Sequence, residues 1–99
     1  MSHRVRFSET ALRDIERLYQ FLADRDIQAA DDALHALEKA WELLGNFPFS
    51  ARKADPASPL LRELIVPFGG AGYVVLFDIT DGATLTVLAV RHQREDDYH

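Results

Sequence analysis

Two apolar stripes at helical spacing, joined by three polar residues, constrain this chain more than any other feature. Ala11, Leu12, Ile15, Leu18, Tyr19 and Leu22 recur at three- and four-residue steps, while Arg13, Glu16, Arg17 and Gln20 fall on the opposite side. A second stripe runs through Ile27, Ala30, Ala33, Leu34, Leu37, Ala40, Trp41 and Leu44. With only Asp24-Arg25-Asp26 between them, the two helices must fold back on each other as an antiparallel hairpin. Ser8 supplies a capping oxygen for the first helix, with Glu9 adding negative charge to its first turn, and Asp26 caps the second. Gly45-Asn46 followed by Pro48 predicts the stop, glycine accepting a left-handed termination and proline barring extension.

A single helical hairpin exposes an apolar side, so something must cover it. Before the hairpin, Arg4-Val5-Arg6-Phe7 alternates polar and apolar residues, which predicts a short strand with Val5 and Phe7 pointing inward. After it, residues 47–59 contain three prolines and no period, and predict an ordered but irregular surface loop, a place where function often sits. Three strand-like runs follow at 60–67, 73–79 and 85–90, separated by Gly69-Gly70-Ala71-Gly72 and by Asp81-Gly82, a strong hairpin signal. The expected fold is α+β, in the order β-α-α-β-β-β, with the helical hairpin packed on a small antiparallel sheet.

The 99 residues suffice for one domain, taken as residues 1–99, and 47% hydrophobic with 27% charged residues describe an ordinary globular composition. A chain this short hides only roughly two-thirds of its unfolded surface, so a partner that covers exposed apolar area is expected. The chain has no cysteine, which excludes disulfides, thiolate metal sites and a cysteine nucleophile, and fits a reducing cytoplasm. No apolar run has the length of a signal peptide or a membrane span. A net charge of −5 disfavours direct binding of nucleic acid unless the few Arg and Lys cluster on one face. No metal or cofactor is expected, and the glycine-rich 69–72 segment, which lacks the helix and lysine of a phosphate cradle, reads as a turn.

The order of elements, together with local phrases, resembles the RelE/ParE superfamily of toxins from type II toxin-antitoxin systems. Phe7-Ser8-Glu9-Thr10-Ala11-Leu12-Arg13-Asp14-Ile15 is similar to the family's strand-to-helix opening, and Leu61-Arg62-Glu63-Leu64 to the start of its second strand. Val90-Arg91-His92-Gln93-Arg94-Glu95-Asp96-Asp97-Tyr98 resembles its closing stretch. The resemblance implies a cognate antitoxin, ParD-like, held against the helices and along the sheet. It also implies one of two activities. RelE-like members cut messenger RNA on the ribosome; ParE-like members poison DNA gyrase and are not nucleases.

Cleaving RNA through its own 2′-hydroxyl needs a base, an acid and converging positive charge for the phosphorane. The candidates are Arg62, His92, Arg94 and Tyr98. Against them, Tyr73-Val74 stands where many members have Tyr-Arg, and Phe77 stands where a tyrosine is frequent. Valine cannot stabilise a phosphorane and phenylalanine cannot donate a proton. Arg62 also reads as a strand-edge charge, His92 as a surface or structural histidine, and Arg52-Lys53 as a solvated pair. Asp96-Asp97 beside Arg94 repel a phosphate backbone. The expectation is therefore a ParE-like inhibitor with no catalytic residue, and the resemblance implies that its target contacts are Arg91, His92, Arg94 and Tyr98. Phe21, Leu43 and Trp41 are the expected antitoxin contacts. The alternatives are the RelE-like endoribonuclease and an inactive homologue that serves only as an antitoxin-bound operon regulator.

Overall fold

The structure is a computed structural model, and it describes residues 2–69 and 71–93. Strand β1 (Arg4–Phe7) leads into helices α1 (Glu9–Ala23) and α2 (Ile27–Asn46). A 3-10 turn at Pro48–Ser50 is followed by β2 (Arg52–Asp55), β3 (Ser58–Phe68), β4 (Ala71–Ile79) and β5 (Thr84–His92). The strands form one sheet in the order β1-β5-β4-β3-β2, with β1 parallel to β5 and every other pair antiparallel. The fold is α+β as expected, the helical hairpin lying on one face of the sheet, but the sheet has five strands and one parallel pair.

Both helix starts follow from local chemistry. Ser8 Oγ accepts the Ala11 N–H at 3.0 Å, and Asp26 Oδ1 accepts those of Gln28 and Ala29 at 3.0 and 3.3 Å. The hairpin is further tied by Tyr19, whose hydroxyl donates to Asp31 at 3.2 Å. Desolvation first, and then the Asp31 carboxylate, push the Tyr19 phenol up from its ordinary value. The end of α2 differs from the expected glycine stop. Gly45 is a buried helical residue, and Gly69 (φ +60°) is the one glycine with positive φ among the described residues. Gly45 serves close approach instead: its carbonyl accepts the His3 N–H, and a Cβ there would stand 3.3 Å from the His3 carbonyl oxygen.

The region 47–59 is not an irregular loop. Its middle is β2, paired with β3 in the register Arg52↔Glu63 and Lys53↔Arg62, and closed by a turn in which Asp55 Oδ1 accepts the Ala57 N–H at 2.9 Å. The strand left no periodic signal because it is a four-residue edge strand, exposed on nearly all its positions, with nothing to bury on alternate residues.

The core lies between the helices and the facing side of the sheet. Leu18, Leu37 and Leu44 meet Tyr73, Val75, Phe77, Ile79, Leu85, Val87 and Val90 there, and Phe7 sets its ring edge-on to Trp41 at 5.0 Å. Each fully buried side chain of this size contributes about 1.5–3 kcal/mol. One polar group enters the core. Asp14, 9% exposed, sits between Ala11 and Leu18 on the apolar side of α1 and accepts the Val90 N–H at 2.9 Å. Nearby, Ser8 Oγ donates to the Leu88 carbonyl at 3.1 Å. These two bonds serve the part of β5 that runs past the end of β1, beyond a bulge at Leu88.

Two stability measurements check this account. Asp14→Ala leaves the buried Val90 amide without an acceptor and is expected to cost about 1–3 kcal/mol by urea denaturation, with Asp14→Asn costing less because its carbonyl still accepts. At Gly72 a Cβ would lie 2.6 Å from the Val66 carbonyl oxygen, with Gln93 Oε1 at 3.1 Å and the Pro67 Cα at 3.4 Å. Gly72→Ala is therefore expected to lower the melting temperature by several degrees, whereas the open Gly82→Ala is expected to leave it nearly unchanged.

Candidate functional site

The residues expected to carry chemistry fall on different faces and ends of the sheet. Side chains alternate along a strand, and Val90 is in the core, so Arg91 and His92 point to opposite faces. His92 stands opposite Tyr73 in the β4–β5 register, its ring edge-on to the tyrosine at 5.8 Å, on the helix-covered side. Arg91 stands opposite Val74 on the helix-free side. Arg94 and Tyr98 lie outside the described residues.

Arg62 is on the helix side as well, opposite Phe77. Two strands and four residues separate it from His92, roughly 16 Å at standard sheet spacings. Its guanidinium is already occupied. Nε donates to the Pro59 carbonyl at 2.8 Å, Nη1 donates to those of Ala51 and Phe49 at 2.9 and 3.4 Å, and the group lies 5.1 Å from the Phe49 ring centroid. Arg62 thus fastens the chain leaving α2 to the start of β3. Arg52 is paired with Glu63 at 2.7 Å. Tyr73 is buried between the rings of Phe68 and His92, and burial pushes its phenol up, away from use as a proton donor near neutrality. Phe77 is fully buried.

The helix-free face carries Leu61, Glu63, Ile65, Val74, Leu76, Asp78, Thr84, Thr86 and Arg91, with Arg4 and Arg6 on its β1 flank. Its middle is apolar and acidic. Among the described residues, no group of three or more His, Cys, Asp and Glu is placed to hold a metal ion.

The three residues expected to meet an antitoxin are also separate. Leu43, 42% exposed, lines a groove of about 480 Å³ between α2 and β3, with Ala36, Ala40, Leu64, Ile65 and Val66 as its apolar walls and Asp32, His35 and Lys39 at its rim. The β2 register ends at Glu63, so β3 borders this groove with an edge that β2 does not cover. Phe21, 56% exposed and overlaid by the Arg25 guanidinium at 4.1 Å, sits near the other end of the hairpin. The length of α2 from Ile27 to Leu43, about 24 Å, separates the two ends. Trp41 is half-buried against Phe7 and belongs to the rim of the core.

Sequence reasoning passed over Asp14, whose signal was its place on the apolar stripe between Ala11 and Ile15. It also passed over Phe47 and Phe49, exposed at the corner after α2. No helix among the described residues is long and apolar enough to cross a membrane.

Comparison with known proteins accords with this architecture. Residues 5–97 match the family model of the ParE toxin of the type II toxin-antitoxin system parDE. Toxin RelE1 of Caulobacter vibrioides is 33% identical over 95 residues, 96% of this chain and 98% of that protein. Toxin RelE3 of the same organism is 33% identical over 92 residues, 92% of this chain and 95% of that protein. A solved structure described as a chromosomal ParDE TA system from P. aeruginosa superposes with a TM-score of 0.70 at 13% identity, covering 92% of this chain and 96% of that one. At that identity the likeness is one of fold.

If Arg62 acts as a fastener, Arg62→Ala is expected to cost about 1–3 kcal/mol in thermal or urea unfolding. Arg62→Lys is expected to recover little of it, since an ammonium cannot span carbonyls reached by the guanidinium fork.

Proposed function

Because the chain belongs to the ParE toxin family of type II toxin-antitoxin systems, we propose that it arrests growth by binding DNA gyrase and is neutralised by a cognate ParD-like antitoxin. Residues 1–99 act as one toxin domain in the cytoplasm, without cofactor or catalytic residue. The observation that carries the choice is the state of the cationic candidates. Arg62 is tied to three backbone carbonyls and lies roughly 16 Å from His92, Val74 and Phe77 offer neither charge nor proton, and Glu63 and Asp78 occupy the open sheet face. A phosphorane needs the converse, several donors within hydrogen-bond reach of one point. Inhibition by contact needs only a surface. That surface is taken to include Arg91, His92, Arg94 and Tyr98 at the end of β5 and beyond.

The antitoxin contacts are Leu43 in the groove and Phe21 at the hairpin's far end, with Trp41 supporting the core beneath. An amphipathic segment suits the groove, which has apolar walls and a charged rim.

A second reading is supported by the RelE names of the two Caulobacter vibrioides relatives, and it makes the chain a ribosome-dependent endoribonuclease. Inducing the chain alone in bacteria separates the two. Gyrase poisoning is expected to yield plasmid DNA that is cleaved after detergent and protease treatment, with transcripts intact. Cut transcripts with intact plasmid would establish the nuclease, and harmless expression would mark an operon regulator without toxicity.

A further inference from the structure

The chain's −5 charge is not evenly distributed over its surfaces. On β1, Val5 and Phe7 pack against the core, which turns Arg4 and Arg6 to the helix-free face, both exposed. The parallel register sets Arg4 opposite Thr84 and Arg6 opposite Thr86 on β5. Leu85 and Val87 between and after those threonines are fully buried in the core, so the threonines share the face of the arginines. Thr86 Oγ1 lies 3.2 Å from the Oγ1 of Thr80, the residue that follows β4, adding a third hydroxyl to the cluster. Among the described residues, neither arginine side chain makes an ion pair or a hydrogen bond.

The geometry selects a kind of ligand. Two guanidiniums two residues apart on a strand repeat at about 6.7 Å, with hydroxyls about 4.8 Å to one side on the next strand. Guanidiniums only donate, and threonine hydroxyls donate readily, so the cluster suits a string of anionic oxygens. The cluster itself contains no apolar side chain of the kind an acidic protein segment would use to hold its place. Arg and Thr are residue types that position phosphates. Asp78, opposite Thr86 on the inner side, confines an anion to the β1 flank. Arg91 continues the same face farther along β5.

We propose that Arg4 and Arg6, with Thr84 and Thr86, form a contact patch for a phosphodiester backbone, and that its ligand is the DNA held by the target. The choice of DNA rests on the gyrase reading. Two phosphate contacts give a log–log salt slope of about −1.8, so affinity falls about twelvefold between 50 and 200 mM salt. Alone the patch is weak; beside a protein contact on the same target it adds through effective concentration.

The test is fluorescence anisotropy of the full chain with a labelled 30-base-pair duplex, comparing wild type, R4Q/R6Q and R4K/R6K, each checked for an unchanged melting temperature. Wild type and R4K/R6K are expected to bind at 50 mM salt with the twelvefold fall, and R4Q/R6Q to lose most of the affinity and nearly all of the slope. Absence of duplex binding at 50 mM, or an unchanged slope in R4Q/R6Q, would overturn the proposal. So would a tighter fit to single-stranded RNA of equal length, or equal competition by a polyglutamate peptide of matched charge. Salt-dependent duplex binding with plasmid intact after induction would sink the gyrase reading alone. Cleaved plasmid with no duplex binding would sink the patch alone.

Discussion

The bond from the Val90 amide to the Asp14 carboxylate joins the two halves of this structure. Strand β5 lies between β1 and β4, but β1 is only four residues long and leaves the far part of β5 without a neighbour on that side. A buried amide without an acceptor is a cost the fold cannot leave unmet. Helix α1 meets it with side chains: Ser8 reaches the Leu88 carbonyl and Asp14 the Val90 amide, so the helix continues the ladder where the strand stops. The position of α1 on the sheet rests on these bonds together with the burial of Ala11 and Leu18 in the core.

The anchorage divides the molecule into two surfaces with different capacities. One side holds the core and, at opposite ends of the sheet, Arg62 and His92, each engaged in packing. The other side carries neither helix, and it mixes leucine, isoleucine, a buried Val74, carboxylates and, along one flank, arginine. A chemistry that needs several cations at one point finds no such point among the described residues. A surface that needs only complementary contact has ample room. The groove beside α2 is a third feature, set where β3 meets the helices and lined by Ile65 of the helix-free face as well as by Leu64 and Val66.

What was legible in the sequence was local. Ser8, Asp26, Gly69 and Asp81 act on residues within a turn of themselves, and each does what its chemistry predicts, while Gly82 sits in the expected hairpin without a positive φ. The helical stripes were legible because their period reports burial directly. Gly45 was misread, because the reason for a glycine there is the approach of His3, some forty positions away in the chain. Strand β2 and the parallel pairing of β1 are set by partners distant in sequence and leave no period of their own. At the site, residue types were legible and directions were not. Arg62 is a strand-edge charge whose guanidinium turned to carbonyls of its own corner, and Arg91 and His92, adjacent in the chain, part to opposite faces.

The pairing of β1 with β5 also sets an order of events. Arg4 is matched to Thr84 and Ser8 to Leu88, contacts that span eighty residues of a chain of ninety-nine. Such closure is slow relative to hairpin formation, and during synthesis it is impossible until β5 exists. At about 5–20 residues per second, β1 waits on the order of 4–16 s after its own synthesis for its partner strand. The helices can pair with each other in that interval, but the amide that Asp14 accepts has not yet been made. The complete sheet, with both of its faces, is thus a property of the finished polypeptide, and a nascent chain cannot present the surface by which the finished one would act.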